Sequence, residues 1–157
     1  MTERALWHSL RAADVFDFAM RVESPSTPGC PDVYYNIEGS SGWLELKSIS
    51  GSPGPRAHPL AYRIQPNQVM WHTRAAAQGV RAFFLVLIDK NAVLLPGAYV
   101  KVLLTASVSD IFRHAIWRGG SDRRTRFAGL RHILILTETG ETDAAFSVAA
   151  SGRYGSS

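Results

Sequence analysis

The chain has 157 residues, of which 46% are hydrophobic, and a formal net charge of +4 at pH 7. This length suits one domain with a substantial core, and the positive charge favours a polyanionic partner without specifying a fold. A single cysteine, Cys30, excludes an internal disulfide and a cysteine-rich zinc cluster, and is typical of the reducing cytoplasm. The longest uninterrupted apolar run, 82–88, is too short to span a membrane, so we expect a cytoplasmic protein without a membrane partner.

The start of the chain predicts a helix over 2–13, with Thr2 as its N-cap. Glu3 falls on the apolar stripe of this helix. An acid in that position either faces inward, where it needs a partner, or complements the positive end of the helix dipole, and the sequence leaves both open. A strand over 16–22 follows and ends at a second acid, Glu23. The apolar stripe of the helix consists of Leu6, Trp7, Leu10 and Ala13.

The most informative part of the chain is a predicted β-hairpin. Asp32 opens an apolar run over 33–37, which is typical of a strand. A polar, glycine-containing segment over 38–42 predicts the connecting loop, and the run over 43–49 predicts the returning strand.

Two carboxylates and an amine belong to this hairpin. Because side chains alternate along a strand, Glu45 and Lys47 project from the same face. With Asp32 nearby, the two acids suit a hard cation such as Mg²⁺, which prefers oxygen ligands. An adjacent ammonium can orient an attacking water or stabilise charge on a phosphate. The alternative is a surface ion pair between Glu45 and Lys47 that contributes little.

Turn-forming residues predict two loops, over 24–29 and over 50–59. The loop over 24–29 connects the predicted strand over 16–22 to the hairpin. The second leaves the strand just after Lys47, at the mouth of the proposed site, where it is either a contact loop or a solvated connector. A helix then begins near Pro66 and ends at Gly79.

The continuous apolar run over 82–88 predicts a buried central strand that is parallel to part of the sheet, because a helix precedes it. A short strand over 92–95 follows. Helical spacing marks 98–104 and 110–117, with Ser109 as a candidate N-cap of the second helix.

A basic segment over 118–131 contains five arginines and one acid. We expect a flexible loop that grips phosphates, in which Phe127 stacks on an unpaired base; a solvated basic loop is the alternative. A last strand is predicted over 133–137. We expect a single domain over 1–138, followed by a flexible tail over 139–157. The candidate phosphate contacts are Arg118, Arg123, Arg124 and Arg126.

The pattern Pro31-Asp32, twelve intervening residues, and Glu45-Leu46-Lys47 resembles the PD-(D/E)XK nuclease superfamily. Within it, the chain is most similar to small phage-type nucleases and to the archaeal Holliday-junction resolvase group, over roughly residues 1–100. The resemblance implies the restriction-endonuclease-like α/β fold, in which a mixed β-sheet is flanked by helices, with a core of the order αβββαβ.

The resemblance also implies roles for individual residues. Asp32 and Glu45, with the Leu46 carbonyl, would hold one or two Mg²⁺ ions, for which Mn²⁺ can substitute. Lys47 would align the attacking water. A resolvase-like first-helix glutamate, here Glu3, would add a metal ligand, with Glu23 as its rival. The helix after the lysine strand would bring Gln68 to the active centre, and the loop after that strand would contact nucleic acid through Arg56 and His58.

The sequence therefore predicts a Mg²⁺-dependent endonuclease that hydrolyses DNA phosphodiester bonds, with junctions or branched DNA as one candidate substrate. It leaves open nicking, end trimming and sequence-specific cutting, as well as cleavage of RNA. A homodimer would match the resolvase-like relatives. A nuclease-like module that binds nucleic acid without cutting it is the alternative, and a dimeric interaction protein without a nucleic-acid role is a third hypothesis.

Overall fold

Six strands form one mixed sheet in which consecutive strands are also spatial neighbours, in the order β1 to β6. The computed structural model describes residues 1–136. Strand β3 runs parallel to β4, and every other neighbouring pair is antiparallel. The elements are α1 (Glu3–Ala12), β1 (Phe18–Arg21), β2 (Val33–Ile37), β3 (Ser40–Ile49), α2 (Pro66–Ala77), β4 (Ala82–Ile88), β5 (Asn91–Pro96), a 3₁₀ turn (Gly97–Tyr99), α3 (Val100–Leu103), α4 (Val108–His114), β6 (Trp117–Arg118) and α5 (Leu130–Leu136).

The first six elements follow the order αβββαβ, as predicted from the sequence. Helix α2 carries the chain from β3 to β4, and such a crossover is required because parallel strands cannot be joined by a tight turn. All seven residues of β4 are buried, which fits a central strand covered on both faces. The fold is therefore a mixed α/β sheet flanked by helices.

Two hydrophobic clusters lie on opposite faces of the sheet. On one face, α1 and α5 cover alternate residues of β2 and β3, including Leu44 and Leu46. On the other face, α3 and α4 cover β4 and β5 together with Ile49 of β3. Since Glu45 and Lys47 alternate with Leu44 and Leu46, they share the face of Ile49 and α2.

The β2–β3 hairpin has a tight turn at Glu38 and Gly39, both with positive φ, of 51° and 85°. This is the backbone that a two-residue hairpin turn favours. Ser40 already begins β3, so the predicted loop over 38–42 is too long. Gly42 lies within β3. A glycine is required at this position because an added Cβ would lie 2.3 Å from the hydroxyl oxygen of Tyr35.

In the second half of the chain, the structure differs from the sequence-based prediction in three features. Helix α4 begins at Val108 after the cap Ser107, which forms a reciprocal capping box with Asp110, so the helix starts and ends earlier than predicted. The short strand β6 was not predicted. The strand predicted over 133–137 is wrong within the described residues, where α5 occupies this region.

The mistaken strand has a physical cause. A short apolar run has no periodicity that separates strand from helix. Leu130 and Leu134, four residues apart, are both fully buried, as one helical face requires. The predicted tail over 139–157 lies outside the described residues. No helix within residues 1–136 combines the length and apolarity that a membrane crossing needs.

The loop that leads to Asp32 packs closely against the start of α2 at Gly29. This residue has φ of +85°, and an added Cβ would lie 2.2 Å from the carbonyl oxygen of Asn67. Gly39 has the same φ but no atom within 4 Å of an added Cβ, which makes it a matched control.

We expect Gly39→Ala to lower the free energy of unfolding by about 1 kcal/mol, because only backbone strain is added. Gly29→Ala should lower it by about 3 kcal/mol, since strain and a backbone clash combine. Urea denaturation of both variants measures the difference. Equal losses would contradict the close approach of the loop to α2.

Candidate active site

The β2–β3 register places Asp32 beside Glu45. Val33 pairs with Leu44 in the last antiparallel pair of the ladder, so the next step brings Asp32 opposite Glu45. The backbone N–H of Leu46 donates to Asp32 Oδ2 at 2.8 Å, which fixes this carboxylate against β3. The structure therefore brings together the two acids that were singled out from the sequence.

Glu45 is almost completely enclosed, with 1% of its surface exposed. Its Oε1 accepts a hydrogen bond from Gln68 Nε2 at 2.9 Å and lies 3.5 Å from Lys47 Nζ. Its Oε2 is buried and has no hydrogen-bond partner. Burial, and next the negative charge of Asp32, raise the pKa of Glu45 to about 9. At neutral pH and without a cation, Glu45 therefore carries a proton.

Lys47 is also buried, with 5% of its surface exposed. Its Nζ donates to the backbone carbonyl of Arg63 at 2.7 Å and to Gln68 Oε1 at 3.3 Å. The Arg63 guanidinium in turn donates to the carbonyl of Ser48 at 3.0 Å, which closes the loop before α2 over this end of β3. The ammonium is thus held in one position by the protein.

Gln68 connects the two charged residues and also caps its own helix. Its Oε1 accepts from the backbone N–H of Gln65 at 2.9 Å, as part of a capping box at the start of α2. The same oxygen accepts from Lys47, so the amide orientation that directs Nε2 toward Glu45 is fixed. Gln68 therefore contacts both Lys47 and Glu45, and the role that the family resemblance implies for it stays a prediction.

His72 is a component of the site that sequence interpretation assigned to packing. It is fully buried, its ring centroid lies 4.4 Å from that of Phe84, and neither ring nitrogen has a hydrogen-bond partner. Its Nε2 lies 3.9 Å from Glu45 Oε2. Burial, and next the charge of Lys47, lower its pKa to about 4, so the imidazole is neutral. The spacing of four residues from Gln68 was the available signal, because it puts both side chains on one helical face.

The donor atoms suit a hard cation. Within residues 1–136, no group of three or more His, Cys, Asp or Glu side chains could hold a metal ion. Mg²⁺, however, is commonly held by one or two carboxylates while it keeps several waters. The Leu46 carbonyl provides a further oxygen. Because the N–H and C=O of one strand residue point the same way, this carbonyl shares the side on which Leu46 contacts Asp32.

Glu3 lies on α1, which packs against the other face of the sheet. It is half-buried on α1, which is capped by Thr2 as predicted, and α1 packs through Leu6 and Leu10 on the face opposite to Glu45. Its rival, Glu23, is exposed. The assignment of Glu3 as a metal ligand stays a prediction.

The basic segment is more ordered than its composition suggests. Phe127 is buried in the core with α5, so the prediction that it stacks on a base is wrong. Arg126 is also buried, at 8% exposure, and this position does not suit a phosphate contact. Arg131 pairs with Asp17 at 2.8 Å. The candidates that remain exposed are Arg118, Arg123 and Arg124, together with Arg56 and His58 of the earlier loop.

No protein-family model and no curated protein matches the chain. Solved structures that are similar to it include Hjc, a Holliday junction resolvase from the archaeal hyperthermophile Archaeoglobus fulgidus. The two chains are 22% identical, and the similarity covers 60% of this chain and 74% of Hjc with a TM-score of 0.40. A likeness of this size assigns neither a family nor an activity.

The raised pKa of Glu45 predicts a specific pH dependence of stability. In the folded state Glu45 keeps its proton up to about pH 9, whereas in the unfolded chain it loses the proton above its ordinary pKa of 4.5. The stability that the protonated Glu45 contributes is therefore lost as the pH rises toward about 9. Glu45→Gln removes the titrating group. The parent should therefore lose stability relative to Glu45→Gln between about pH 6.5 and 8.5. Folded-state titration of His72 does not contribute to this change, because its imidazole is neutral throughout that range.

Urea denaturation of both proteins at several pH values in metal-free buffer measures the effect. A difference in unfolding free energy that stays constant with pH would contradict the assignment of a protonated, buried Glu45.

Proposed function

We propose that this protein is a Mg²⁺-dependent nuclease that hydrolyses phosphodiester bonds in DNA. The observation that supports it best is the meeting of Asp32, Glu45 and Lys47 at one end of the β2–β3 hairpin, with an unpartnered buried oxygen on Glu45. The order of the first six elements, which the sequence resemblance led us to expect, also supports it.

Asp32 and Glu45, with the Leu46 carbonyl, would hold the cation, for which Mn²⁺ can substitute. The bound metal would supply Lewis-acid activation of a water and neutralise charge on the phosphate. Glu45 would hold the cation as a carboxylate and not as a carboxylic acid, so it would release its proton. The charge of Lys47, only 3.5 Å away, favours the ionised form.

Lys47 would position the attacking water or stabilise the phosphate in the transition state. Its contacts with the Arg63 carbonyl and with Gln68 hold the ammonium in advance, so little reorganisation is needed during the reaction. Gln68 acts as a positioning residue because it contacts both charged side chains. Glu3 of α1 is proposed as an additional ligand of the cation.

The substrate class rests on charge. A net charge of +4 attracts a polyanion, and the exposed arginines Arg56, Arg118, Arg123 and Arg124 provide contacts for phosphates away from the metal. We propose DNA as the partner, with a preference for junctions or branched forms, and a homodimer as the assembly that cuts symmetrically.

We expect Asp32→Ala, Glu45→Ala and Lys47→Ala each to lower the cleavage rate about 100-fold or more, because each removes a group required at the reacting phosphate. Lys90→Ala, which changes an exposed lysine in the turn between β4 and β5, is the matched control and should cut like the parent.

The assay combines purified protein and Mg²⁺ or Mn²⁺ with linear, single-stranded, nicked and four-way-junction DNA, and circular dichroism verifies folding of each variant. Cleavage by the parent in excess EDTA, or cutting by a folded Glu45→Ala variant at the parent rate, would overturn the proposal. Binding of DNA without cleavage in any metal would instead favour the non-cleaving module.

A further inference from the structure

Four aromatic side chains form a row across the sheet face that carries Glu45. We call Phe18, Tyr34, Trp43 and Trp71 the aromatic row. The centroids of consecutive rings lie 6.3, 5.4 and 5.8 Å apart, in edge-to-face contacts. Phe18 is 55% exposed, and the other three are half-buried, so the row presents ring surface to solvent. Solvent-exposed aromatic surface of this kind is typical of a binding site.

The aromatic row lies directly beside the carboxylate pair. Tyr34 is opposite Trp43 in the β2–β3 register, and Asp32 and Glu45 occupy the next position of the same face. Residues two apart on a strand are separated by about 7 Å, which is close to the distance between neighbouring nucleotides of an extended strand. A ligand stacked on Tyr34 and Trp43 would therefore bring its neighbouring phosphate to the candidate metal site.

A groove continues the aromatic row on its α2 side. It has a volume of about 580 Å³ and lies between α2 and the loop that leads to Asp32, with Trp71 in its wall. Met70 and Val80 expose apolar surface there, at 55% and 43%. Arg74 adds an exposed positive charge to the same wall. Apolar walls beside a cation suit a flat base attached to an anionic phosphate.

We propose that the aromatic row and this groove bind unpaired bases of DNA next to the carboxylate pair, so that the substrate is a single strand or a branched DNA that carries unpaired nucleotides. This inference rests on the proposed nuclease function. Bases stack on aromatic rings without regard to sequence, whereas bases inside a duplex are already stacked on one another and cannot do so. A protein partner would explain the apolar surface, but not its register with the two acids or the nearby charge of Arg74.

The test measures binding of a fluorescently labelled oligonucleotide, as a single strand and as the matching duplex, by anisotropy in EDTA. We expect Trp43→Leu to weaken single-strand binding about 10-fold or more and to leave duplex binding unchanged. Trp43→Phe keeps an aromatic face and should retain most of the affinity. Tyr62→Ala is the control, because Tyr62 is 93% exposed and lies outside the aromatic row and the groove.

Phe18→Ala is a second variant in case Trp43→Leu does not fold, since Phe18 is largely exposed, and a several-fold loss of single-strand affinity is expected from it. Equal affinity of the folded Trp43→Leu and Tyr62→Ala variants for the single strand would overturn the inference. So would equal losses for single strand and duplex, or a dimer, detected by light scattering, that Trp43→Leu dissociates.

The two proposals can fail separately. If the Glu45→Ala variant cuts DNA like the parent while Trp43→Leu loses single-strand binding, the base-binding surface stands and the metal site is wrong. If Glu45→Ala is inactive and Trp43→Leu binds single strands like the parent, the nuclease proposal stands and the aromatic row has no role in base binding.

Discussion

The arrangement of this site depends on the burial of one carboxyl group, Glu45, beside a second, Asp32. Placing two such groups together in a poorly solvated position disfavours the ionised form, and the raised pKa of Glu45 expresses this energetic cost. Gln68 and Lys47 satisfy only one of its two oxygens. A divalent cation would compensate the negative charge of the ionised pair and provide the missing partner of the second oxygen. A bound cation would therefore stabilise this polar network.

The fold creates this position from ordinary elements. The β2–β3 ladder ends one step before Asp32 and Glu45, so the acids lie where the backbone pairing stops and a ligand can reach the Leu46 carbonyl. The crossover helix α2, which a parallel β3–β4 pair requires, supplies Gln68, His72 and Trp71 to the same face. The hairpin register and the crossover helix together place the carboxylates, the amine and the aromatic row side by side on one face of the sheet.

The sequence was sufficient where local rules decide the structure. The alternation of β3 predicted that Glu45 and Lys47 share a face, and the uninterrupted run of β4 predicted a central buried strand. It was insufficient where tertiary contacts decide. The apolar residues of α5 have no short-range periodicity that separates helix from strand, and the burial of Phe127 depends on contacts distant in sequence. His72 was assigned to packing because a histidine is a poor ligand for an oxygen-lined magnesium site, and its proximity to Glu45 depends on the docking of α2 on the sheet.

The most direct test of the central claim is calorimetric titration of Mn²⁺ into the metal-free protein at pH 7.5, in two buffers that differ in ionisation enthalpy. A buried, protonated Glu45 that becomes a metal ligand must release roughly one proton for each ion bound. We therefore predict a buffer-dependent binding enthalpy that corresponds to this release and is absent from Glu45→Gln. Binding without proton release, or unchanged binding by Glu45→Gln, would contradict the account of Asp32 and Glu45 as a cation site.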